Sequence, residues 1–207
     1  MIRITSVELN RFNAEVCFDD GSRLRLRKKD VEAQKLRAGA EFDYQALYGR
    51  LCASQFAEGY EAALDILDRS AKTEQEIKKK LLLKGYLPEA AQAICDKLRE
   101  AKLLDDKYIA ERIVSAMSAA GKGKYAMAVK LRARGIGREE SLDLLEGLDE
   151  ESQKEAALSS ARKLQAKYVS DDPRRDRQKL SQALIRRGFS WDDVQYALER
   201  IGLDDEV

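Results

Sequence analysis

The first fifty residues alternate apolar and polar side chains with a period of two, which is typical of β-strands. Two alternating runs flank Asp20-Gly21, a dipeptide that favours a tight turn between paired strands. A two-residue loop would place arginines on the apolar face. A three-residue loop with Gly21 in a left-handed conformation instead pairs Val16 with Leu24 and keeps the two faces separate. The pattern therefore predicts a β-hairpin in this second register.

The segments on either side of the hairpin extend the β-rich region. Residues 2–9 offer a third strand, and a short helix is expected to begin at Asp30, whose side chain can cap it. Arg23, Arg25 and Arg27 share one side of the second alternating run. We interpret that side as a solvated strand face rather than a binding surface.

From Tyr44 onward the apolar residues recur every three or four positions, which is the period of an amphipathic helix. The segment Thr73–Glu76 has the form of a capping box, with a hydroxyl at the N-cap and a glutamate three residues later. Gly85 then has the position of a helix C′ residue, and Pro88 suits the first turn of the following helix. The pattern predicts two helices joined by a glycine turn.

This pattern occurs three times, around Gly85, Gly135 and Gly188, which lie 50 and 53 residues apart. Each glycine has apolar residues eight and four positions before it, a cation directly before it and an apolar residue directly after it. Self-similarity at this spacing is typical of repeat proteins, which bind along an extended surface. We therefore predict a mainly α fold, in which three tandem three-helix repeats form a curved, elongated array after a small N-terminal β-hairpin or sheet segment. The expected divisions are a β-rich segment over 1–50 and helical repeats over 51–103, 104–150 and 151–207.

Large apolar residues near the repeat glycines are expected to fill the core. Tyr86, Ile136 and Phe189 follow the glycines directly, where a hydrophobic contact commonly accompanies a helix C-cap. Trp191 is interpreted as a core anchor of the last helix. Tyr125 lies in basic surroundings, so stacking on a nucleic-acid base is an alternative to the core packing that we favour.

The composition is that of a folded, mainly helical chain rather than a disordered one. Of 207 residues, 44% are hydrophobic and 36% are charged, with only two prolines. No apolar stretch approaches the length of a transmembrane helix, and no signal peptide is recognised at the N-terminus, so a cytoplasmic location is expected.

Several classes of catalytic and metal site are excluded by residue type. The chain has no histidine, which is the commonest general base and metal ligand. Cys17, Cys52 and Cys95 are odd in number and widely spaced, so buried, reduced thiols are expected rather than disulfides or a zinc site. We expect no enzyme activity, no cofactor and no metal, although chemistry based on buried carboxylates remains a third hypothesis.

The net charge of +1 conceals separate charged blocks. Residues 121–138 contain six cations and no acid, and residues 173–187 contain six cations and one acid. Residues 139–155 contain eight acids and one lysine. Such segregation favours a charged partner without identifying it. Residues 170–177 are interpreted as a polar loop, and residues 204–206 as a frayed tail.

The basic blocks define a candidate surface for an anionic partner, because clustered cations repel one another until such a partner binds. At Lys84, Arg134 and Arg187 a second interpretation stays open, since a cation in the last turn of a helix also stabilises the macrodipole. The candidate surface consists of Lys78, Lys80, Lys84, Lys122, Lys124, Lys130, Arg132, Arg134, Arg174, Arg175, Arg177, Lys179, Arg186 and Arg187.

A series of short motifs follows in order along residues 60–202. They are Ala63-Leu64, Leu67, Arg69, Thr73, Glu76-Ile77, Lys80-Leu81, Lys84-Gly85-Tyr86, Leu104-x-Asp106-x-Tyr108-x-Ala110, Lys130-Leu131 and Arg134-Gly135-Ile136. In this order and spacing they resemble the RecX family of recombinase regulators. The chain departs from the family at Gly121-Lys122-Gly123-Lys124-Tyr125, where the family often has Gly-Pro and a basic residue.

The resemblance implies a protein without a catalytic site. A monomer is expected separately, because it suits a non-closing repeat array. The resemblance also implies binding to the RecA recombinase and modulation, most often inhibition, of the RecA filament on single-stranded DNA, with effects on recombination, DNA repair and the SOS response. The implied mode is a helical array lying in the filament groove, and some relatives also bind DNA directly. The alternative hypothesis is a stand-alone helical-repeat adaptor that binds single-stranded or double-stranded nucleic acid.

Overall fold

The structure is a computed structural model of the chain, and it describes residues 1–168, 170 and 172–203. The predicted fold class is confirmed, because a small antiparallel sheet precedes a series of helices. Over the described residues the elements are β1 (Ile2–Leu9), β2 (Asn13–Phe18), β3 (Arg23–Arg27), α1 (Lys28–Ala33), β4 (Glu41–Phe42), α2 (Tyr44–Arg69), α3 (Glu74–Leu83), α4 (Pro88–Glu100), α5 (Asp106–Ala119), α6 (Lys124–Ala133), α7 (Arg138–Glu146), α8 (Glu150–Gln165), α9 (Pro173–Arg186) and α10 (Trp191–Arg200).

The chain forms two compact units, residues 1–105 and the residues from Asp106 onward. We call them the first unit and the second unit. The predicted tail over 204–206 lies outside the described residues.

The sheet of the first unit has the strand order β3-β2-β1-β4. The predicted hairpin register is confirmed: Val16 pairs with Leu24, and Gly21 has a φ of +82°. The Phe18 N–H donates to the Ser22 carbonyl at 3.0 Å, which closes the turn. The expected third strand is β1, which pairs with the edge of β2 that faces away from β3. Ile4, Val16 and Leu26 from these strands are fully buried, so one face of the sheet supplies a core.

Two expectations about this sheet are wrong. Asp30 does not cap α1, because the helix begins at Lys28 and Asp30 lies in its first turn. The Asp30 carboxylate is instead buried, where it accepts hydrogen bonds from Arg27 Nε at 2.7 Å and from Gln55 Nε2 at 2.7 Å. Arg27 is therefore buried rather than solvated, whereas Arg23 and Arg25 are exposed as expected.

The helices of the first unit follow the predicted local signals. The capping box at Thr73 is present, with hydrogen bonds in both directions between Thr73 and Glu76. Gly85 has a φ of +89°, and Pro88 is the first residue of α4. Ile77, Leu81 and Tyr86 are buried between α2, α3 and α4, which confirms the core role predicted for Tyr86.

The sheet packs directly against the glycine turn of the first three-helix block. A Cβ atom on Gly85 would lie 2.8 Å from Asn13 Oδ1 and 3.1 Å from the Arg27 backbone nitrogen. The contact with the Asn13 amide is shorter than real Cβ contacts and the contact with the backbone is tight, and Gly85 also has a positive φ, so this position favours glycine. The N-terminal sheet and the first three helices therefore share one compact unit.

The second unit contains two further three-helix blocks, α5–α7 and α8–α10. The predicted burial of Ile136 and Phe189 is confirmed. The prediction for Trp191 is wrong, because its side chain is 58% exposed. Trp191 is the first residue of α10, and helical side chains tilt towards the N-terminus, so the indole lies at the open end of the helix rather than over its buried face.

The polar loop predicted over 170–177 is also corrected. The helix α9 already begins at Pro173, and Asp172 caps it by accepting from the Arg174 and Arg175 N–H groups at 3.0 and 3.2 Å. The sequence contained this signal, since aspartate followed by proline is a favoured helix start. Three candidate arginines of the predicted loop therefore lie on a helix.

Candidate partner-binding surface

The start of α6 lies directly against the glycine turn that ends α9. The Gly123 N–H donates to the Arg187 carbonyl, and the Tyr125 N–H donates to the Gly188 carbonyl, each at 2.9 Å. A Cβ atom on Gly188 would lie 2.2 Å from the Ala126 nitrogen. We call residues 121–126 and 186–189 the α6–α9 junction. Two backbone hydrogen bonds therefore join the two three-helix blocks there, and the Ser160 hydroxyl of α8 adds a third by donating to the Gly121 carbonyl at 3.2 Å.

The junction brings together candidate cations that are far apart in the sequence. Lys122 and Lys124 come from one block, and Arg186 and Arg187 come from the other. A Cβ atom on Gly121 would lie 3.9 Å from Arg187 Nη1, which places this guanidinium beside the turn that precedes α6. Within the described part of the chain, none of these four cations has a carboxylate oxygen within 4 Å.

The outer face of α6 combines apolar and basic side chains. Tyr125 and Val129 are 63% and 70% exposed, and Arg132 follows at the i+7 position of the same face. The predicted core packing of Tyr125 is therefore wrong. The opposite face of α6 fills the core with Met127 and Leu131, which leaves Tyr125 pointing outward. The neighbouring Lys130 is exposed as well.

A basic stripe runs along α9. Arg175, Lys179 and Arg186 are spaced by four and seven residues, so they share one face over about 16 Å of helix. Arg174 and Arg175 are exposed at the start of the helix. None of these four has an ion-pair partner among the residues that the structure describes.

Asp176, the one acid within this basic block, forms its hydrogen bonds with a neutral residue. Asp176 accepts hydrogen bonds from the Ser170 hydroxyl and from the Ser170 N–H, each at 2.6 Å. The Ser170 hydroxyl, and then its N–H, lower the pKa of Asp176 below its usual value, although burial opposes them. Lys179 and Arg175 add smaller favourable Coulombic contributions, although neither forms an ion pair with Asp176 within 4 Å.

Other candidate residues have structural partners or lie in the first unit. Arg177 donates to the Leu203 carbonyl and to Gln195 Oε1, each at 2.7 Å, and so connects α9 to the end of α10. Lys78 pairs with Glu74 at 2.6 Å. Arg134 is half-buried at the C-cap of α6. Lys80 and Lys84 are exposed near the end of α3, in the first unit.

Two apolar residues beside the junction were missed as surface candidates. Ile185 and Trp191 are 44% and 58% exposed on either side of the glycine turn at Gly188. The sequence signal for Trp191 was the capping box formed by Ser190 and Asp193, which fixes Trp191 as the first residue of α10. No comparable signal marks Ile185, whose neighbour Leu184 is fully buried.

Neither a metal-binding cluster nor a membrane-spanning helix is found among the described residues. They contain no group of three potential metal ligands, and none of their helices combines the length and apolarity needed to cross a membrane. Cys17, Cys52 and Cys95 are free thiols, of which Cys95 is buried and the other two are half-buried. Burial, with a smaller contribution from Glu74, raises the pKa of Cys95 to about 11, so this thiol is protonated at neutral pH.

Family models match two of the three-helix blocks. The model of the first three-helix domain of RecX matches residues 60–98, and that of the third three-helix domain matches residues 151–198. Solved structures agree over a longer range. A crystal structure of regulatory protein RecX superposes with a TM-score of 0.65 at 28% identity, covering 96% of this chain and all of that one. RecX from Lactobacillus salivarius superposes with a TM-score of 0.66 at 29% identity, covering 73% of this chain and 99% of that one.

Curated relatives are named regulatory protein RecX. The protein from Limosilactobacillus reuteri (strain DSM 20016) is 34% identical over 157 residues, which is 75% of this chain but 60% of that protein. The chain spans 58% of the relative from Streptococcus mutans. The relative from Mycobacterium leprae is 33% identical over 129 residues, which is 61% of this chain and 75% of that protein. These relatives are named as regulators rather than enzymes. Together with the order of the three-helix domains, they show that the chain belongs to the RecX family of regulatory proteins.

Proposed function

We propose that this protein regulates RecA recombinase filaments on single-stranded DNA, and that it does so as an inhibitor. It binds along the filament groove and thereby modulates recombination, DNA repair and the SOS response. The observation that carries this proposal is the α6–α9 junction, where cations from two three-helix blocks meet without ion-pair partners among the described residues, in a chain of the RecX family.

Electrostatics support an anionic partner at this surface. Unpaired cations held close together by the backbone repel one another, and phosphates or acidic side chains relieve that repulsion on binding. The surface includes the α9 stripe as well as the junction, so it extends along the second unit. Its cations are Lys122, Lys124, Lys130, Arg132, Arg174, Arg175, Lys179, Arg186 and Arg187.

The repeated architecture supports binding along a filament rather than in a pocket. We propose that the repeats over 51–103, 104–150 and 151–207 contact successive parts of the filament, and that a cytoplasmic monomer acts without catalysis. In a non-closing array each block presents equivalent surfaces at a regular spacing. Such spacing suits a polymeric partner.

The test is the single-strand-dependent ATP hydrolysis of the cognate recombinase. We expect suppression when this protein is present well below one copy per recombinase subunit, because blocking filament growth affects many subunits. The variant Lys124→Glu/Arg186→Glu is expected to lose suppression. The matched control is Lys107→Glu, an exposed reversal on α5 that should retain it. Equal suppression by both variants would contradict a role for the junction.

The exposed Tyr125 favours a second candidate function, that of a stand-alone nucleic-acid-binding adaptor. An exposed aromatic ring beside lysines can stack on a base without sequence preference. This function predicts binding of a labelled single-stranded oligonucleotide without recombinase, with affinity falling steeply as salt rises. Weak, salt-independent binding together with suppression of the recombinase would leave filament regulation as the function.

A further inference from the structure

A groove in the first unit lies between the edge of the sheet and the helix α3. Its volume is about 780 Å³, which is within the usual range of ligand-binding clefts. One side is formed by β3, including Arg23 and Arg25, and the opposite side by α3, including Lys79 and Leu83. Residues of α2 and of the start of α4 complete the lining. None of these residues belongs to the second unit, so this groove is separate from the α6–α9 junction.

The wall formed by β3 is an open strand edge. In the order β3-β2-β1-β4, β3 has a neighbour on one side only. Since Phe18 and Ser22 form a hydrogen-bonded pair, the pairs continue at Leu24 and Leu26. The backbone N–H and C=O groups of Arg23 and Arg25 therefore point away from β2. An edge of this kind can accept an extended peptide as an additional strand.

The opposite wall supplies exposed apolar side chains. Leu82 and Leu83, at the end of α3, are 40% and 57% exposed, and both line the groove. Leu24 from β3 is half-buried beneath them. Tyr44, Tyr48 and Tyr86 also line the groove, but Tyr86 is buried and the other two are half-buried. The exposed apolar groups are therefore the aliphatic side chains of Leu82 and Leu83, which suit an apolar peptide side chain beside the open strand edge, whereas nucleic-acid bases stack best on exposed aromatic rings.

The charges that line the groove are mainly positive. Arg25 and Lys79 have no carboxylate partner within 4 Å among the described residues. In the orientation of the Asn13 amide that satisfies its neighbours, its oxygen accepts from Arg25 Nε at 2.9 Å, which leaves the positive charge uncompensated. Glu89, which also lines the groove, accepts a hydrogen bond from the Tyr48 hydroxyl.

We propose that this groove binds an extended acidic segment of a partner protein, which carries apolar residues between its acids. The segment pairs with the outer edge of β3, places carboxylates against Arg25 and Lys79, and inserts an apolar side chain beside Leu82 and Leu83. This proposal does not rest on the function proposed above, because it concerns a different surface and a different class of ligand.

The test uses a fluorescein-labelled peptide of alternating glutamate and valine, about ten residues long, and the full chain. Fluorescence anisotropy should show saturable binding. Three matched peptides separate the contributions: lysine replaces glutamate, serine replaces valine, or proline replaces the central valine and removes a backbone donor. Each of the three should bind at least about tenfold more weakly, because each removes one element of recognition. Equal binding of the serine peptide would overturn the proposal.

Variants of the protein locate the binding in the groove. Arg25→Glu/Lys79→Glu is expected to weaken the peptide affinity by about tenfold or more, and Leu83→Ser by several-fold. The matched control is Lys28→Glu, an exposed reversal in the first turn of α1 outside the groove, which should change the affinity less than twofold. Because all three substituted cations are exposed, circular dichroism should show unchanged helicity.

Other occupants give distinguishable results. If the double reversal abolishes binding of a single-stranded oligonucleotide but leaves peptide binding intact, the groove is a nucleic-acid site and the proposal is overturned. If Leu83→Ser abolishes a concentration-dependent dimer in sedimentation experiments, the groove binds a second copy of the chain and the proposal is again overturned. The recombinase assay is independent of all these outcomes, so the two proposals can fail separately.

Discussion

The two units use the same cationic residue types in different ways. In the first unit, Arg27 is buried and pairs with Asp30 and Glu58, and Arg99 pairs with Glu74 and Asp96. In the second unit, the cations of the α6–α9 junction and of the α9 stripe have no such partners in the described structure. Charge in the first unit mainly connects parts of the fold, whereas charge in the second unit remains available for a partner. The comparison shows that the number of cations in a segment does not distinguish these roles.

The buried ion pair of the first unit gives the largest expected effect. Arg27→Ala should lower the free energy of unfolding by about 3 kcal/mol, because it leaves the Asp30 carboxylate buried without its cation. Arg27 also lies 4.4 Å from the centre of the Tyr86 ring, so the substitution removes packing as well as charge. Urea denaturation measures the change. Arg25→Ala is the matched control, and a loss for Arg27→Ala below about 1 kcal/mol would contradict this interpretation.

The backbone contact of the second unit gives the next largest effect. Gly188→Ala should destabilise the protein by at least about 2 kcal/mol, because the new Cβ atom collides with the Ala126 backbone and the alanine must adopt a positive φ. Gly202→Ala measures the cost of the positive φ alone, since Gly202 has a φ of +76° and nothing lies within 4 Å of a Cβ atom there. Thermal denaturation of both variants compares the two terms. Equal losses would show that close packing at the junction contributes little.

Reversing charges at the junction should separate binding from stability. Lys124→Glu/Arg186→Glu should weaken oligonucleotide binding, measured without recombinase, by about tenfold, which is 1.4 kcal/mol, and reduce the salt slope by about two. The free energy of unfolding should change by less than about 0.5 kcal/mol, because neither side chain has an ion-pair partner to lose. Anisotropy and urea denaturation measure the two quantities. A large loss of stability with unchanged binding would assign these cations a structural role.

Acid should affect the paired charges of the first unit by a smaller amount. Burial raises the pKa of Glu74, but hydrogen bonds from Arg99 and Lys78 outweigh it, so the net pKa lies below the ordinary value of 4.5. A lowered pKa stabilises the folded state above pH 4.5, and this contribution disappears as the pH falls below the folded pKa. Urea denaturation between about pH 3 and 6 should therefore show a shallower pH dependence for Glu74→Gln than for the wild type. Identical slopes would mean that these ion pairs are too exposed to matter.

Local signals in the sequence predicted the elements of this fold well. The capping box at Thr73, the glycine turn at Gly85 and the proline that begins α4 each depend on neighbouring residues alone, and all three are confirmed. The hairpin register followed from the same kind of reasoning, because only one loop length separates the apolar and polar faces. Such features are decided within a few residues of the chain.

Features that depend on tertiary packing could not be predicted in this way. Alternation placed Arg27 on a solvated face, but the approach of α2 buries it beside Asp30. Size and hydrophobicity placed Trp191 and Tyr125 in the core, but both lie in the first turns of their helices and are exposed. For the candidate surface, spacing did not separate Arg177, which donates to Leu203 and Gln195, from Arg175, which has no ion-pair partner among the described residues. That the candidate surface binds a partner stays a prediction.

The backbone contacts of the α6–α9 junction have a consequence for how this protein can diverge. Because main-chain atoms of Gly123 and Gly188 hold the two blocks together, substitutions at Lys122, Lys124 and Arg186 leave that attachment intact. The outward side chains can therefore change from one lineage to another while the spacing between the blocks stays constant. A fixed scaffold with replaceable side chains allows a regulator to follow sequence changes in its partner without losing its own fold.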